Sequence, residues 1–172
     1  YPCAVWFKKY ILKSNVGILN SQTISLSITT IEPSMNILLI GSGGREHTLA
    51  WKMKQSSLCK QLLIAPGNAG TALCGTKLPI ATTDFDKLAA ACKEHSIDII
   101  LVGPEEPLVK GIYDFFQGNK GFENLKVIGP SKNAAQLEGS KAFAKAFMKR
   151  HEIPTAAYEE FTTDKYLEGV SY

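Results

Sequence analysis

The chain has 172 residues, 45% of them hydrophobic and 20% charged, so one globular domain, or one domain and part of a second, is expected. The net charge of +3 comes from scattered Lys and Arg, which indicates no nucleic-acid partner. No run approaches about 20 apolar residues, so no membrane span is expected. The cysteines (Cys3, Cys59, Cys74 and Cys92) form no C-x-x-C pair, which argues against structural zinc and is typical of reduced thiols in a cytoplasmic protein.

Residues 1–34 differ in composition from the rest of the chain. Residues 18–31 are rich in Ser, Thr and Ile and carry no charge. Three interpretations remain open: a targeting peptide, although Arg and a continuous apolar core are missing; a native extension; or upstream sequence translated by accident, with Met35 as the true start. We expect this segment to be disordered or not native.

From Met35 onward, strands and helices alternate. The first predicted elements are a strand at Ile37–Ile40, a helix from Arg45 to about Gln55, a strand at Leu62–Ala65 and a weaker strand at Leu78–Ala81. A helix from Thr83 or Asp84 to about His95, a strand at Ile97–Val102 and a helix that includes Pro107 and ends near Gln117 come next. The last predicted elements are a strand at Lys126–Ile128 and helices at Ser131–Glu138 and Ser140–His151. This alternation predicts an α/β protein with a Rossmann-like, mostly parallel sheet. Ligands of such sheets bind outside the carboxyl ends of the strands, where the turns at Gly41–Gly44, Gly67–Gly70 and Gly103 should gather.

The first of these turns is the start of the motif G-S-G-G-R-E-H at residues 41–47. Glycines allow a tight turn and expose backbone N–H groups, and the helix that follows points its positive end to the same place. A phosphate is therefore the expected ligand. A tight turn without a ligand is the alternative, and the pattern alone does not separate the two.

A dinucleotide fits this turn less well than a simple phosphate. The fingerprint G-x-G-x-x-G matches at Gly41 and Gly43, but Glu46 stands where the third Gly belongs. The second strand ends at Ala65 and Pro66 instead of at an acidic residue for the ribose hydroxyl. NAD is therefore disfavoured, and no G-K-[ST] sequence of a Walker loop is present.

Three further motifs offer polar groups near strand or helix ends. In P-G-N-A-G-T, Asn68 provides an amide beside open backbone, although a plain connecting loop is the commoner case. In G-P-E-E-P-L, one of Glu105 and Glu106 can accept hydrogen bonds from ribose hydroxyls, although acids also occur at helix starts for the helix dipole alone. Lys141 opens a helix, where a cation opposes the dipole; an anionic partner is one explanation, and a solvated lysine is the usual one.

Together these motifs resemble the phosphoribosylamine–glycine ligases in order and spacing from Met35 to about Thr162. The matching stretches are M-N-I-L-L-I-G-S-G-G-R-E-H-T-L-A-W, A-P-G-N-A-G-T, V-G-P-E-E-P-L-V-K-G and G-P-S-K-N-A-A-Q-L-E-G-S-K-A-F-A-K. The resemblance implies an enzyme that uses ATP, with Mg²⁺ or Mn²⁺, to convert glycine to glycyl phosphate. The amine of 5-phosphoribosylamine then displaces the phosphate and gives glycinamide ribonucleotide in purine biosynthesis.

The resemblance also assigns roles to individual residues. The substrate-binding residues would be Gly41, Gly43, Gly44, Arg45, Glu46, Asn68, Gly70, Gly103, Pro104 and Glu105. Glu105 would face the sugar, with Glu106 at a variable position, and Lys141 would contribute to binding ATP. No catalytic residue or metal ligand is expected here, because the glycine-rich ATP loop and the acidic metal ligands of the ATP-grasp domain would lie beyond Tyr172.

The same resemblance divides the chain into three parts. Residues 1–34 are foreign to the family, residues 35–139 correspond to the pre-ATP-grasp domain that binds phosphoribosylamine, and residues 140–172 are the truncated start of an ATP-grasp domain. The chain alone is expected to be inactive, monomeric and cytoplasmic, with small-molecule partners and neither nucleic acid nor membrane. The alternatives are the leading domain of another ATP-grasp ligase or carboxylase, a non-catalytic module that binds a nucleotide or sugar phosphate, and an inert gene fragment.

Overall fold

The computed structural model describes residues 34–161 and residue 165. The strands are β1 (Met35–Gly41), β2 (Cys59–Pro66), β3 (Thr76–Lys77), β4 (Ile99–Val102) and β5 (Lys126–Ile128). The helices are α1 (Gly44–Lys54), α2 (Phe85–Glu94), α3 (Glu105–Val109), α4 (Ile112–Gly118), α5 (Lys132–Gly139) and α6 (Lys141–Arg150), and a 3₁₀ turn covers Thr71–Leu73. Each helix in the described ranges is too short or too polar to cross a bilayer.

The five described strands form one sheet in the order β3-β2-β1-β4-β5, and every neighbouring pair is parallel. The central strand β1 pairs Ile37 with Leu62 of β2 on one side and with Ile99 of β4 on the other. A strand in this position has both faces covered, which explains its continuous apolar sequence. The predicted α/β, Rossmann-like fold is confirmed.

Alternate side chains of β1 enter two separate cores, because successive residues of a strand point to opposite faces of the sheet. Leu38 and Ile40 are completely buried with Leu88 of α2 on one face. Leu39 is completely buried with Ala50 of α1 on the other. Burial of one such aliphatic side chain contributes about 1.5–3 kcal/mol. The two cores therefore fix the backbone from which the turns after the strands project.

The weak strand predicted at Leu78–Ala81 is wrong, because the edge strand β3 lies at Thr76–Lys77. Leu78 still donates its N–H to the carbonyl of Ile64 at 2.9 Å, but Pro79 has no N–H with which to continue the ladder. The apolar side chains of Leu78 and Ile80 instead pack against the core beneath α2. Their hydrophobicity reflects burial beside the sheet, not a place within it.

The single helix predicted to include Pro107 and to end near Gln117 is also wrong, because two helices, α3 and α4, cover this segment. Gly111 separates them with a φ of +94°, a left-handed conformation that ends a helix and that glycine adopts without steric cost. Its N–H closes the last turn of α3 on the carbonyl of Leu108 at 3.0 Å. A conformational break at one glycine is invisible to a helical pattern of apolar residues.

The two helices predicted near the end of the described segment are confirmed. Ser131 and Ser140 cap them: Ser131 Oγ accepts a hydrogen bond from Ala134 N at 3.3 Å, and Ser140 Oγ accepts one from Phe143 N at 3.2 Å. The extension predicted at residues 1–34 lies, except for Ser34, outside the described residues. The proposed boundary between residues 139 and 140 stays a prediction.

Candidate functional site

Three turns meet where strands β1, β2 and β4 end. They are residues 41–46, 67–71 and 103–105, and we refer to them together as the carboxyl rim. Gly67 donates its N–H to the carbonyl of Gly41 at 3.1 Å, and Gly103 donates its N–H to the carbonyl of Ile40 at 3.0 Å. The parallel sheet therefore brings the three glycine-bearing turns together, as the order of the elements predicts.

Glu46 lies at the centre of the carboxyl rim, with only 5% of its side chain exposed. Its Oε2 accepts a hydrogen bond from the N–H of Gly43 at 2.7 Å, and its Oε1 accepts one from Nε of Arg45 at 3.0 Å. The carboxylate is also favourably placed at the positive end of helix α1. Glu46, one of the residues expected to bind substrate, thus has both oxygens engaged within the protein.

The glycines of the carboxyl rim make room for the Glu46 side chain. Gly41 has a φ of +131°, and a methyl group on it would come within 2.5 Å of Glu46 Cγ. A methyl group on Gly43 would lie 2.9 Å from Glu46 Oε2, and one on Gly103 would overlap the same carboxylate. Contacts this short require the neighbouring atoms to move. These glycines are therefore needed first for the packing of Glu46, whatever they do for a ligand.

Asn68 links the second turn to the first with its side-chain amide. Its Nδ2 donates to the carbonyl of Ser42 at 2.7 Å and to that of Gly43 at 3.2 Å. Its Oδ1 accepts a hydrogen bond from the N–H of Thr71 at 2.9 Å. The amide is therefore used to hold the two turns together, and it is not an unoccupied group directed at solvent.

Thr71 and His47, which were not among the residues expected to bind substrate, support the carboxyl rim. Thr71 is completely buried, and its Oγ1 accepts from the N–H of Asn68 at 2.7 Å and donates to the Asn68 carbonyl at 3.0 Å. Such reciprocal bonds are common between Asn and Thr in turns, so the spacing of the two residues is a usable signal. His47 packs against Gly70, where a methyl group would come within 2.6 Å of the imidazole.

Two charged side chains of the carboxyl rim are exposed. Arg45 has 59% of its side chain exposed, and among residues 34–161 and 165 no partner hydrogen-bonds its two terminal guanidinium nitrogens. Glu105 is exposed at the first position of α3, directly after Pro104. Its neighbour Glu106 is instead held by Lys110, with 2.7 Å between Oε1 and Nζ. Arg45 and Glu105 are thus exposed, and Glu105, unlike Glu106, forms no ion pair within the described part of the chain.

Helix α1 presents an open amino-terminal end at the same place. Gly44 is its first residue and is exposed, and a methyl group on it would meet no atom within 4 Å. Backbone N–H groups in the first turn of a helix have no partner within the helix and attract anions. Gly44 and Arg45 together therefore form a cationic corner suited to a phosphate.

Lys141 is distant from these turns in sequence. It is exposed in the first turn of α6, a helix that packs against α5. In the described part of the chain, no group of three or more His, Cys, Asp or Glu side chains lies close enough together to hold a metal ion. A cavity of about 220 Å³ does not mark the site either, because it lies near Ser96 and Phe122, beside the opposite edge of the sheet.

The parallel sheet with glycine-rich turns at its carboxyl edge defines a Rossmann-like α/β domain. The model of one family, described as phosphoribosylglycinamide synthetase, N domain, matches residues 35–138. The chain belongs to this family.

Named relatives agree with the family match. Phosphoribosylamine–glycine ligases from Pasteurella multocida and Escherichia coli K12 are 53% and 52% identical to the chain over 130 residues, which is 74% of the chain. A crystal structure of the phosphoribosylamine–glycine ligase of Thermotoga maritima superposes with a TM-score of 0.55 and 32% identity over 79% of the chain and 30% of that structure. The biotin carboxylase domain of a single-chain bacterial carboxylase, with 17% identity and a TM-score of 0.50, shares the fold alone. The chain spans 29% of the length of the two named ligases.

Proposed function

We propose that the carboxyl rim binds the phosphoribosyl group of 5-phosphoribosylamine for a ligase that joins this amine to glycine with ATP. The product would be glycinamide ribonucleotide, in purine biosynthesis. Membership of the family and the names of the relatives support the reaction. The observation that carries the proposal is the pairing, at one rim, of an exposed Arg45 at an open helix end with an exposed Glu105.

In this proposal the phosphate of the substrate binds at the start of α1. The first-turn N–H groups near Gly44 and the terminal nitrogens of Arg45 are donors, and a guanidinium can bind two phosphate oxygens at once. The buried Glu46 carboxylate already neutralises part of the positive charge of this cationic corner. The corner therefore suits one terminal phosphate better than the diphosphate of a dinucleotide, which agrees with the missing third glycine.

The ribose would face the third turn. A carboxylate accepts hydrogen bonds from hydroxyl groups, and Glu105 is placed to do this from the first position of α3. The Lys110 partner directs Glu106 to a different contact. Binding the phosphate and the sugar at two turns would orient the amine for attack on glycyl phosphate, and such orientation lowers the entropic part of the barrier.

The remaining chemistry belongs, in this proposal, to other parts of the full-length protein. ATP and its Mg²⁺ or Mn²⁺ would be held by an ATP-grasp domain that begins near residue 140, with Lys141 contributing to nucleotide binding. A bound divalent ion would neutralise phosphate charge there. The chain alone would bind the sugar phosphate without catalysing ligation, as a cytoplasmic monomer.

A thermal-shift comparison on the full chain tests the binding proposal. Ribose 5-phosphate, a stable analogue that lacks the amine, should raise the unfolding temperature, because a ligand at 100 times its Kd adds about 2.7 kcal/mol to stability. NAD at the same concentration should not. Stabilisation by NAD and not by ribose 5-phosphate would contradict the proposal.

A further inference from the structure

We propose that Glu46 is a positioning residue that acts through Arg45: it holds the guanidinium where the substrate phosphate binds, and it does not touch the ligand. This inference rests on the proposed function, because it assigns a role within the same sugar-phosphate site. It changes the part expected of Glu46 from a substrate contact to an internal support.

The burial of Glu46 argues against direct contact with a ligand. Its side chain is only 5% exposed, and Gly43 and Arg45 occupy its two oxygens at 2.7 and 3.0 Å. The backbone of Gly41 and Gly103 closes around its aliphatic part and its carboxylate. A phosphate or sugar hydroxyl could reach it only by displacing these groups. A carboxylate would also repel a phosphate if its charge were not already compensated.

Glu46 affects ligand binding through its hydrogen bond with Arg45. Bonding at Nε fixes the plane of the guanidinium and leaves both terminal nitrogens available, which is the arrangement that binds a phosphate with two parallel hydrogen bonds. An arginine side chain that is 59% exposed would otherwise sample many rotamers and lose that freedom on binding. Glu46 therefore lowers the entropic cost of binding by ordering Arg45 beforehand.

A double-mutant cycle on the full chain separates positioning from simple structural support. The affinity for ribose 5-phosphate would be measured by calorimetry for the unsubstituted chain, Arg45→Gln, Glu46→Gln and the double variant, with thermal unfolding of each. Glu46→Gln should weaken binding about tenfold when Arg45 is present and should not weaken it in the Arg45→Gln background, because coupled residues are not additive. Glu94→Gln, which removes an exposed carboxylate on α2, should bind like the unsubstituted chain.

Three results would overturn the inference or its basis. Equal weakening by Glu46→Gln in both backgrounds would show a structural effect without coupling to Arg45. Unchanged affinity in Glu46→Gln would remove any role. If the unsubstituted chain does not bind ribose 5-phosphate, the proposed function itself fails and the inference falls with it.

Arg45→Lys provides a second variant if Glu46→Gln does not fold. It leaves the buried carboxylate in place and keeps the positive charge, but one ammonium group cannot bond Glu46 and also present two nitrogens to a phosphate. Binding should weaken nearly as much as in Arg45→Gln. Affinity equal to that of the unsubstituted chain would show that charge alone suffices and would contradict positioning.

Discussion

Polar networks lie at both ends of the parallel strands, at the carboxyl rim and at the end where the strands begin, which we call the amino edge. The two networks have different roles. At the amino edge, Asn36 donates its N–H to Asp98 at 2.7 Å and its Nδ2 to the carbonyls of His95 and Ser96 at 3.1 and 3.0 Å. These bonds join the start of β1 to the segment before β4. The amino edge uses them to close the end of the sheet.

At the carboxyl rim, an internal network instead supports charged groups that remain accessible. Asn68 hydrogen-bonds the second turn to the first, Glu46 is hydrogen-bonded within the first turn, and Gly41, Gly43 and Gly103 make room for Glu46. Arg45 and Glu105 stay exposed on this frame. The difference teaches that a polar residue in a glycine-rich turn need not be available to a ligand: hydrogen bonds within the protein distinguish Glu46 and Asn68 from the exposed Arg45 and Glu105.

The largest effects are expected from removing the side-chain amides of Asn68, at the carboxyl rim, and Asn36, at the amino edge. Asn68→Ala should lower the free energy of unfolding by about 2–3 kcal/mol, and Asn36→Ala by about 2 kcal/mol, at roughly 1 kcal/mol per lost hydrogen bond. Only Asn68→Ala should also weaken ribose 5-phosphate binding. Urea unfolding and calorimetry measure the two quantities, and an equal loss of affinity in both variants would erase the distinction between the edges.

A methyl group in the space filled by Glu46 should have the next largest effect. Gly103→Ala is expected to destabilise the chain by about 1–3 kcal/mol, because overpacking forces the buried carboxylate to move. Gly118→Ala is the matched control: nothing lies within 4 Å of the added methyl group, and alanine should not destabilise the chain at this last residue of helix α4. Denaturant midpoints that moved in the same direction for both variants would contradict this packing.

A smaller effect, on affinity alone, is expected from the two neighbouring carboxylates of α3. Glu105→Gln should weaken ribose 5-phosphate binding about tenfold, which corresponds to about 1.4 kcal/mol, through loss of a charged hydrogen-bond acceptor. Glu106→Gln serves as the control, since its partner is Lys110. Neither change should move the unfolding temperature much, because both side chains are exposed. A loss caused by Glu106→Gln alone would reverse the assignment.

The smallest effect should come from Asp84, which caps helix α2 apart from both networks. The side-chain hydrogen bond from Lys87 lowers the pKa of the Asp84 carboxyl, with help from the Lys87 backbone N–H. A pKa that is lower in the folded state means stability present above the unfolded pKa and lost as the pH falls through the folded one. Asp84→Asn should therefore lower the unfolding temperature slightly at neutral pH, reduce its further fall below about pH 4, and leave ribose 5-phosphate binding unchanged.

Much of the fold was predictable because it depends on regular patterns. The buried strands β1 and β4 are continuous apolar runs, and their alternation with helices predicts the parallel sheet and the edge where ligands bind. The errors fall where one residue overrides the pattern. Pro79 ends the ladder after β3, and Gly111 divides one apolar helical stretch into α3 and α4.

The convergence of these candidate residues at one end of the sheet was predictable from the sequence, but their hydrogen-bond partners were not. The motifs place Arg45, Glu46, Asn68 and Glu105 at one rim, and the structure brings them there. Sequence alone does not show that the Glu46 carboxylate is buried or that the Asn68 amide is fully hydrogen-bonded. Those facts depend on contacts between turns that are distant along the chain. The assignment of substrate contacts to Arg45 and Glu105 remains a prediction.

The most direct test of this account is a titration of the isotope-labelled chain with ribose 5-phosphate, followed by the NMR shifts of its backbone amides. The account predicts concentration-dependent shifts at the carboxyl rim, centred on Gly44, Arg45 and Glu105, with no shift at the amino edge around Ser96 and Asp98. Shifts confined to the amino edge, or none at saturating concentrations of the ligand, would contradict the claim that the carboxyl rim binds a sugar phosphate.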